Sequence, residues 1–180
     1  MKKSTVCFFI PYFILMHNVF NLGWEDVYGF NMSHMRSVAI SEPLVDYVEA
    51  KQIVSNSCLL MEIDLYTITV DDLQSMKAPF ELTVRRNDYV QALVTYFTVE
   101  FTKCHKRIGF STGPEQPYTH WKQTVFYLDD FLTVKNGEKI TGDFKLQPNL
   151  RNNRDLDFEV NVQFQGELAS MNAHQIYKMR

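Results

Sequence analysis

Apolar and polar residues alternate with a period of two along much of the chain, which predicts β-strands with one buried and one solvated face. The alternation is clearest in the stretch that begins at Leu156, where apolar and acidic or amide residues strictly interleave. The segments that carry this alternation, or a run of apolar, aromatic and β-branched residues, are 58–65, 80–85, 89–103, 125–128, 140–146 and 156–165. Repeated strands with short turns indicate an antiparallel barrel or sandwich, so the predicted class is mainly β.

One short sequence in this region predicts a tight turn between two strands. Asn136-Gly137 favours a two-residue hairpin, because both residue types tolerate a positive φ. No internal repeat or low-complexity stretch interrupts the pattern. The region is therefore expected to fold as one unit.

The spacing changes to a helical one between Gly23 and Val54. Asn31 can cap a helix start, and Glu42-Pro43 predicts a turn because proline disfavours helix at the residue before it. The apolar residues of the first predicted helix are Met32, Met35, Val38 and Ala39, and those of the second are Leu44, Val45 and Val48. Two short helices joined by a turn are expected here.

Composition and charge exclude several classes of function. The chain has 180 residues, of which 46% are hydrophobic and 14% aromatic, so it can bury a core. Its net charge of −3 provides no strong field for nucleic acid or an anionic membrane. The basic run 103–107 lacks interleaved aromatic residues and is interpreted as solvated charge. We expect no nucleic-acid partner and no membrane association.

The cysteines and histidines provide no metal-binding pattern. Cys7, Cys58 and Cys104 are far apart and form no CxxC pair, which favours reduced thiols. His105 lies beside Cys104 but has no second pair of ligands for zinc. The sequence predicts no metal site.

The first 22 residues form an apolar segment with three open interpretations. Lys2-Lys3 precede the run Val6–Met16, as in a secretory signal, yet the run is too short to span a membrane as a helix and contains Pro11. The alternatives are an alternative start or gene-model artefact, a targeting signal, and a buried hydrophobic anchor. In a secreted chain, Asn31-Met32-Ser33 would be a glycosylation site.

The candidate chemistry lies in the segment Tyr118-Thr119-His120-Trp121, where a loop containing Gly and Pro meets an apolar strand. His120 can act as a general base at neutral pH, provided that an acid orients it. Spacing identifies no such acid, and on spacing alone a structural or solvated role for His120 is the more common one. No Gly-rich motif for a dinucleotide or adenosyl cofactor is present in the sequence.

Several long sequences, in order, resemble one family. They are Val27-Tyr28-Gly29-Phe30, Glu42-Pro43-Leu44-Val45-Asp46, Arg86-Asn87-Asp88-Tyr89-Val90, 101–107, 109–112, 118–127 and 152–158. Residues 24–180 resemble the C-terminal half of type I protein arginine N-methyltransferases, closest to the predominant member of that group. The resemblance implies an antiparallel β-barrel over 23–180, with an inserted two-helix dimerisation arm at about 28–50.

The resemblance also implies roles for particular residues. Tyr28, Phe30, Met32 and Met35 match the arm, which in the family docks on a second subunit. His120 and Trp121, with Tyr118 and Thr119, match the Thr-His-Trp loop that closes the substrate-arginine pocket. In the family, this histidine pairs with an aspartate from the N-terminal part of the protein. The family usually has Asp where this chain has Asn31.

The family's activity is methyl transfer from S-adenosylmethionine to arginine side chains of proteins such as histones and Arg/Gly-rich proteins. The glycine-rich cofactor loop and the two glutamates that grip the guanidinium do not match any part of this chain. We therefore expect the chain alone to bind no cofactor and to be inactive. The alternative is a short isoform that forms a dimer with a full-length methyltransferase. The family's substrates imply a nuclear and cytoplasmic location.

Overall fold

The computed structural model describes residues 7–16, 24–102, 104–106 and 108–180. Two α-helices, α1 Ser33–Ile40 and α2 Val70–Gln74, and a 3₁₀ turn at Ala50–Gln52 accompany the strands. The strands are β1 Cys7–Met16, β2 Leu44–Asp46, β3 Cys58–Leu59, β4 Ile63–Asp64, β5 Met76–Thr83, β6 Asp88–Phe101, β7 Ile108–Ser111, β8 Gln123–Val134, β9 Lys139–Pro148, β10 Leu156–Gln165 and β11 Ser170–Met179.

The strands form two antiparallel sheets. The larger has the order β2-β8-β6-β1-β3, with β4 also paired to β1 and β7 to β6, and the smaller has the order β11-β10-β9-β5. A bridge between Ser55 and Val84 links segments near the two sheets. Within the described residues the pairing does not close into a continuous ring. The predicted mainly β, antiparallel, barrel-like class is confirmed.

The core lies between the two sheets and is built by alternate residues of their strands. Phe126 occupies its centre, and its ring makes edge contacts with Phe144, Phe158 and Tyr177 at centroid distances of 5.7, 5.0 and 5.1 Å. Edge-to-face packing of this kind adds to the stabilisation from burial alone. Other fully buried members of this core are Leu15, Leu82, Leu93, Leu132 and Ile140.

The prediction of a second helix after Pro43 is wrong. Leu44–Asp46 is strand β2, whose three residues pair with Gln123, Thr124 and Val125 of β8. Helix α1 ends before Pro43, as expected, and the extended conformation preferred by β-branched Val45 suits pairing with a long neighbouring strand. Tertiary pairing therefore overrides the helical spacing of the apolar residues.

The turn at Asn136-Gly137 forms, but it is not the predicted hairpin. Gly137 has a φ of +89°, which favours glycine. However, β8 and β9 on its two sides belong to different sheets. The N–H of Gly137 donates to the carbonyl of Val84, and the N–H of Val84 donates to the carbonyl of Glu138, at 2.9 Å each. The turn is a corner between the sheets, held by the segment that follows β5.

Other predicted boundaries also change. The expected strand at 58–65 is two short strands, β3 and β4, and the alternation did not identify β7 or β11. Helix α2 was not expected either. It begins with a capping box in which the Thr69 hydroxyl and the Asp72 carboxylate each satisfy a backbone N–H of the other residue.

The described part of the apolar N-terminal segment, Cys7–Met16, forms strand β1 of the larger sheet, between β6 and β3. Residues 1–6 and 17–23 lie outside the described residues. No described helix has both the length and the apolar character needed to cross a membrane. The choice between a targeting signal, an alternative start and a buried anchor remains a prediction.

We expect Tyr177→Phe to lower the free energy of unfolding by about 1 kcal/mol, because the buried Tyr177 hydroxyl donates to the Tyr127 carbonyl at 2.7 Å. Burial, followed by the charge of Asp129, raises the pKa of Tyr177. Stability from this group is therefore complete below the unfolded pKa of about 10 and is lost as the pH rises above it.

Denaturant titrations at pH 7 and at alkaline pH test both parts of this prediction. The variant should lose less stability than the parent between these two conditions. Tyr66→Phe, at a side chain that is exposed, is the matched control. It should change neither the free energy of unfolding at pH 7 nor the loss of stability at alkaline pH. Equal alkaline losses in the parent and in Tyr177→Phe would contradict the assignment.

Candidate active-site loop

The loop between β7 and β8, residues 112–122, presents the predicted site residues, and we refer to it as the His120 loop. Its second half is a turn closed by the N–H of Lys122, which donates to the carbonyl of Thr119 at 3.1 Å. Lys122 has a φ of +53°, a left-handed conformation that is uncommon for a residue with a side chain. His120 and Trp121 occupy the two central positions of this turn, and both are exposed.

The start of the His120 loop is fixed by buried Thr112. Its N–H donates to the carbonyl of Phe97 at 2.8 Å, and its hydroxyl oxygen accepts the N–H of Phe97 at 3.0 Å. Thr112 is only 1% exposed, so these bonds are shielded from water. The loop therefore leaves the sheet at one defined point beside β6.

The end of the His120 loop is fixed by Gln123, the first residue of β8. Its side-chain amide donates to the carbonyl of Thr112 at 2.6 Å, and its side-chain oxygen accepts the N–H of Val48 at 2.8 Å. Gln123 is 5% exposed, and its amide satisfies two buried backbone groups. One side chain thus joins both ends of the loop to the segment that follows β2.

An aromatic surface lies beside His120. The rings of Phe110 and Trp121 stack at a centroid distance of 5.4 Å and an interplanar angle of 23°, and Phe97 contacts the Trp121 ring edge-on at 6.1 Å. Trp121 remains 57% exposed and Phe110 37% exposed. The electron-rich face of an indole attracts a planar cation such as guanidinium. The His120 ring lies 6.5 Å from the Trp121 ring, at an interplanar angle of 72°.

A second set of contacts ties the His120 loop to the end of β2 and to the residue after it. The Lys122 ammonium lies 3.2 Å from the Asp46 carboxylate, and the Tyr47 and Tyr118 rings are 6.1 Å apart. The backbone N–H of Tyr47, and then Lys122, lower the pKa of Asp46. The resulting stabilisation is present above the unfolded pKa of about 4 and is lost as the pH falls below it.

Within the described residues, the His120 imidazole makes no hydrogen bond or ion pair, and its ring contacts that of Trp121. The neighbouring Thr119 hydroxyl oxygen is buried and also has no partner in that part of the chain. A histidine needs a hydrogen-bonded acid to act as an oriented base. The described residues thus bring a histidine beside an aromatic surface, and no acid that orients it is among them.

The described residues offer no metal centre. No group of three or more His, Cys, Asp or Glu side chains among them could hold a metal ion. Cys104 and His105 lie in a surface bend after β6, and Lys103 and Arg107 of the basic run lie outside the described residues.

A cavity of about 200 Å³ adjoins Trp121 and extends between the two sheets. Its lining is largely apolar and includes Leu60, Met76, Phe126, Phe158 and Met179, with no carboxylate among the described lining residues. S-adenosylmethionine carries a cationic sulfonium and an ammonium group, which need acidic partners, whereas the charged residue in the described lining is Lys122, a cation. The cavity does not suit this cofactor.

The predicted arm residues lie apart from the loop, around the start of α1. Tyr28 is 97% exposed, Phe30 72% and Met35 54%, whereas Met32 is half-buried. Met32 is the residue before α1, and the side chain of Asn31 accepts the N–H of Ser33. The opposite side of the helix is held by buried Ile40. Large apolar side chains in this number are unusual on a free surface.

Sequence reasoning missed the residues that hold the site in place. Gln123 and Thr112 occur in the matching segments, but no pattern distinguishes a buried amide from a solvated one. Phe110 likewise lies in the matching segment 109–112, and no pattern in the sequence indicates that it stacks on Trp121. The signal that could identify Gln123 is its position, because it is a polar residue at the start of an apolar strand.

Comparison with known proteins gives a consistent match. A family described as the arginine methyltransferase oligomerization subdomain matches residues 17–167. Protein arginine N-methyltransferase 1 of Caenorhabditis elegans is 56% identical over 156 residues, which are 87% of this chain and 44% of that protein. Protein arginine N-methyltransferase 8-B of Danio rerio is 57% identical over 157 residues, which are 87% of this chain and 37% of that protein. The chain spans less than half the length of these relatives.

Two solved structures are also similar. The Trypanosoma brucei PRMT1 enzyme-prozyme heterotetrameric complex with AdoHcy has a TM-score of 0.90 and 33% identity, and the match covers 96% of this chain and 56% of that one. Arabidopsis thaliana protein arginine methyltransferase 10 has a TM-score of 0.80 and 16% identity, and the match covers 99% of this chain and 62% of that one. The second match concerns the fold alone.

We expect Gln123→Leu to lower the free energy of unfolding by about 2 kcal/mol, because it leaves two buried backbone groups unpaired. It should also release the His120 loop from its base. In a Trp24→Phe background, Trp121 is the remaining tryptophan, so its fluorescence reports the loop. Gln116→Leu, at an exposed position in the same loop, is the control. Similar stabilities and spectra for both variants would contradict the proposed anchor.

Proposed function

The chain belongs to the protein arginine methyltransferase family, and we propose that it supplies the substrate-side barrel of an S-adenosylmethionine-dependent enzyme. Its substrates would be arginine side chains of proteins such as histones and Arg/Gly-rich proteins. The observation that carries this proposal is the anchored turn that presents His120 beside the stacked Trp121 ring, in the residues that match the family's Thr-His-Trp loop.

The proposed role of the aromatic surface is to orient the substrate guanidinium. An arginine side chain is charged at neutral pH, and the exposed face of Trp121 is suited to a planar cation. His120 would hold a proton on one imidazole nitrogen and donate it to a carboxylate outside this chain, as the family resemblance implies. The missing partner of His120 in the described residues is consistent with such a site, completed by another part of the protein.

The cofactor supplies the methyl group when it is bound, and we propose that it binds outside this chain. The apolar cavity beside Trp121 does not suit it, and transfer also depends on carboxylates that localise the guanidinium charge. The chain alone is therefore proposed to bind no S-adenosylmethionine and to methylate nothing. Calorimetry with the cofactor, and transfer of labelled methyl groups to an Arg/Gly-rich peptide, test these two statements.

A chimera tests the role of His120 in a complete enzyme. Residues 24–180 would replace the matching segment of the C. elegans relative, to which the chain is 56% identical. We expect the chimera to be active, and His120→Gln to lower kcat/KM by roughly 100-fold or more, because an oriented acid–base group is lost. Initial rates with an Arg/Gly-rich peptide are the measurement.

His174→Gln in the same chimera is the matched control. His174 is an exposed histidine of β11 whose ring contacts the Asn161 side chain, far along the chain from the His120 loop. This variant should keep the parent rate. An active chimera in which both variants have the same rate would exclude a catalytic role for His120.

A second candidate function is that of a binding module that pairs with a full-length methyltransferase through its arm. The exposed Tyr28, Phe30 and Met35 side chains favour it, because a solvated surface rarely presents so many large apolar groups together. The similar T. brucei structure is an enzyme–prozyme complex, and by analogy this chain would modulate a catalytic partner. Homodimers through the same surface would compete with this pairing.

We expect Phe30→Ala combined with Met35→Ala to weaken pairing with a full-length relative by at least tenfold, because both side chains would lose apolar burial at the interface. Leu150→Ala combined with Leu168→Ala removes exposed apolar side chains elsewhere on the chain and is the control. Affinities from co-purification and analytical ultracentrifugation are compared. Equal binding by both double variants would contradict an arm-mediated contact.

We propose a nuclear and cytoplasmic location for the chain. The alternative is secretion directed by residues 2–16, in which case exposed Asn31 would carry a glycan. Cell fractionation, followed by glycosidase treatment of the recovered protein, distinguishes the two. A glycosidase-sensitive species would exclude the proposed location.

A further inference from the structure

We propose that the larger sheet contains a strand-acceptor groove, which binds an extended apolar segment through its main chain. The groove is bounded by residues 92–101 of β6 on one side and by β3 and β4 on the other. In this chain its occupant is Cys7–Met16. The segment would then be a permanent part of the folded barrel, and the groove could also bind such a strand supplied by a separate molecule.

The pairing of β1 on both of its edges supports this proposal. Ten residues of β1 pair with β6, from Met16 opposite Ala92 to Cys7 opposite Phe101. On its other edge, β1 pairs with β3 and with β4. Within the described residues, β3 and β4 join the larger sheet only through β1. The segment is thus an interior strand.

The direction of the backbone groups explains how Pro11 fits in the middle of this strand. Successive residues of a strand point their N–H and C=O groups to opposite edges. The N–H of Leu15 donates to the Ser55 hydroxyl, away from β6, so the missing N–H of Pro11 lies on that same edge. There Pro11 falls between the residues paired with β3 and those paired with β4. Proline therefore removes no hydrogen bond to β6.

The end of β1 provides hydrogen-bond partners for buried polar groups that would otherwise have none. Leu15 is 0% exposed, and its carbonyl accepts the N–H of Val54 at 3.0 Å. Its N–H donates to Ser55, which is 1% exposed, at 3.0 Å. An empty groove would leave these groups without their partner and open the core beside Leu93. Such a surface favours capture of another strand.

Known proteins match the position of this strand and its sequence to different extents. The matching family pattern begins at residue 17, after β1. The A. thaliana structure, however, matches 99% of this chain, which includes the place of β1. The position is thus part of the fold, whereas the occupant lies outside the family pattern. Recognition by main-chain hydrogen bonds accounts for this tolerance, since they do not depend on side-chain identity.

The first test uses the full chain and two proline exchanges. Ile14 points its N–H towards β6, so Ile14→Pro removes a ladder bond, whereas Pro11→Ala removes none. We expect Ile14→Pro to lower the Tm by about 5 °C or more and Pro11→Ala to leave it nearly unchanged. Indistinguishable Tm values for the two variants would overturn the proposal.

Amide exchange in β6 provides an internal control. The N–H of Phe97 donates to Thr112, away from β1, so the even-numbered residues of 92–101 point towards β1 and the odd-numbered ones away from it. In Ile14→Pro, exchange at Val94 and Tyr96 should accelerate by at least tenfold, with a smaller change at Leu93 and Thr95. A uniform change, or none, would overturn the assignment.

The second test supplies the strand separately and remains informative if Ile14→Pro does not fold. The full chain, with a protease site inserted within residues 17–23, is cut after folding and then mixed with an excess of a labelled, lysine-flanked peptide of residues 7–16, or of the same peptide N-methylated at Ile10, Tyr12 and Ile14. The unmodified peptide should replace the cut segment with 1:1 stoichiometry and keep the near-UV circular dichroism of the parent. The methylated peptide, which lacks donors to β6, should bind at least tenfold more weakly. Equal binding, or no binding, would overturn the proposal.

Discussion

Two hydrogen bonds from the Gln123 side chain are the constraint on which the candidate site depends. The amide holds the carbonyl of Thr112 and the N–H of Val48 in a water-free environment, where each bond is strong and each lost bond costly. As a result, the loop between Thr112 and Gln123 has fixed ends although its tip is exposed. A loop with fixed ends can present His120 in a defined direction without being buried.

The same constraint joins two surfaces that appear separate in the sequence. Val48 follows β2, which comes after α1 and the exposed apolar residues around its start, and Lys122 of the loop contacts Asp46 at the end of β2. A partner that binds the helix therefore acts on a segment that is bonded directly to the His120 loop. Under the proposed function, subunit pairing and the geometry of the substrate pocket would share one set of contacts.

The sequence predicted the parts of the fold that depend on alternating burial, such as β5, β6 and β10. It failed where pairing partners decide the conformation. Leu44–Asp46 is a strand because β8 lies beside it, and the turn at Asn136-Gly137 is a corner because its flanking strands join different sheets. The sequence singled out the segment of His120 and Trp121, and the resemblance supplied the role expected of them. The position of Gln123 at the start of an apolar strand is a weak signal, and the two groups that it bonds became known from the structure.

The register of β1 has a consequence for synthesis of the protein. Each residue of β1 precedes its partner in β6 by 76 (Met16 and Ala92) to 94 residues (Cys7 and Phe101), so at about 5–20 residues per second the ribosome makes the partners roughly 4–19 s later. During this interval an apolar strand has emerged without the neighbour that covers it. Factors that bind nascent apolar segments at the ribosome can sample it in that time. The competition between sorting and folding would then be decided by the rate of translation.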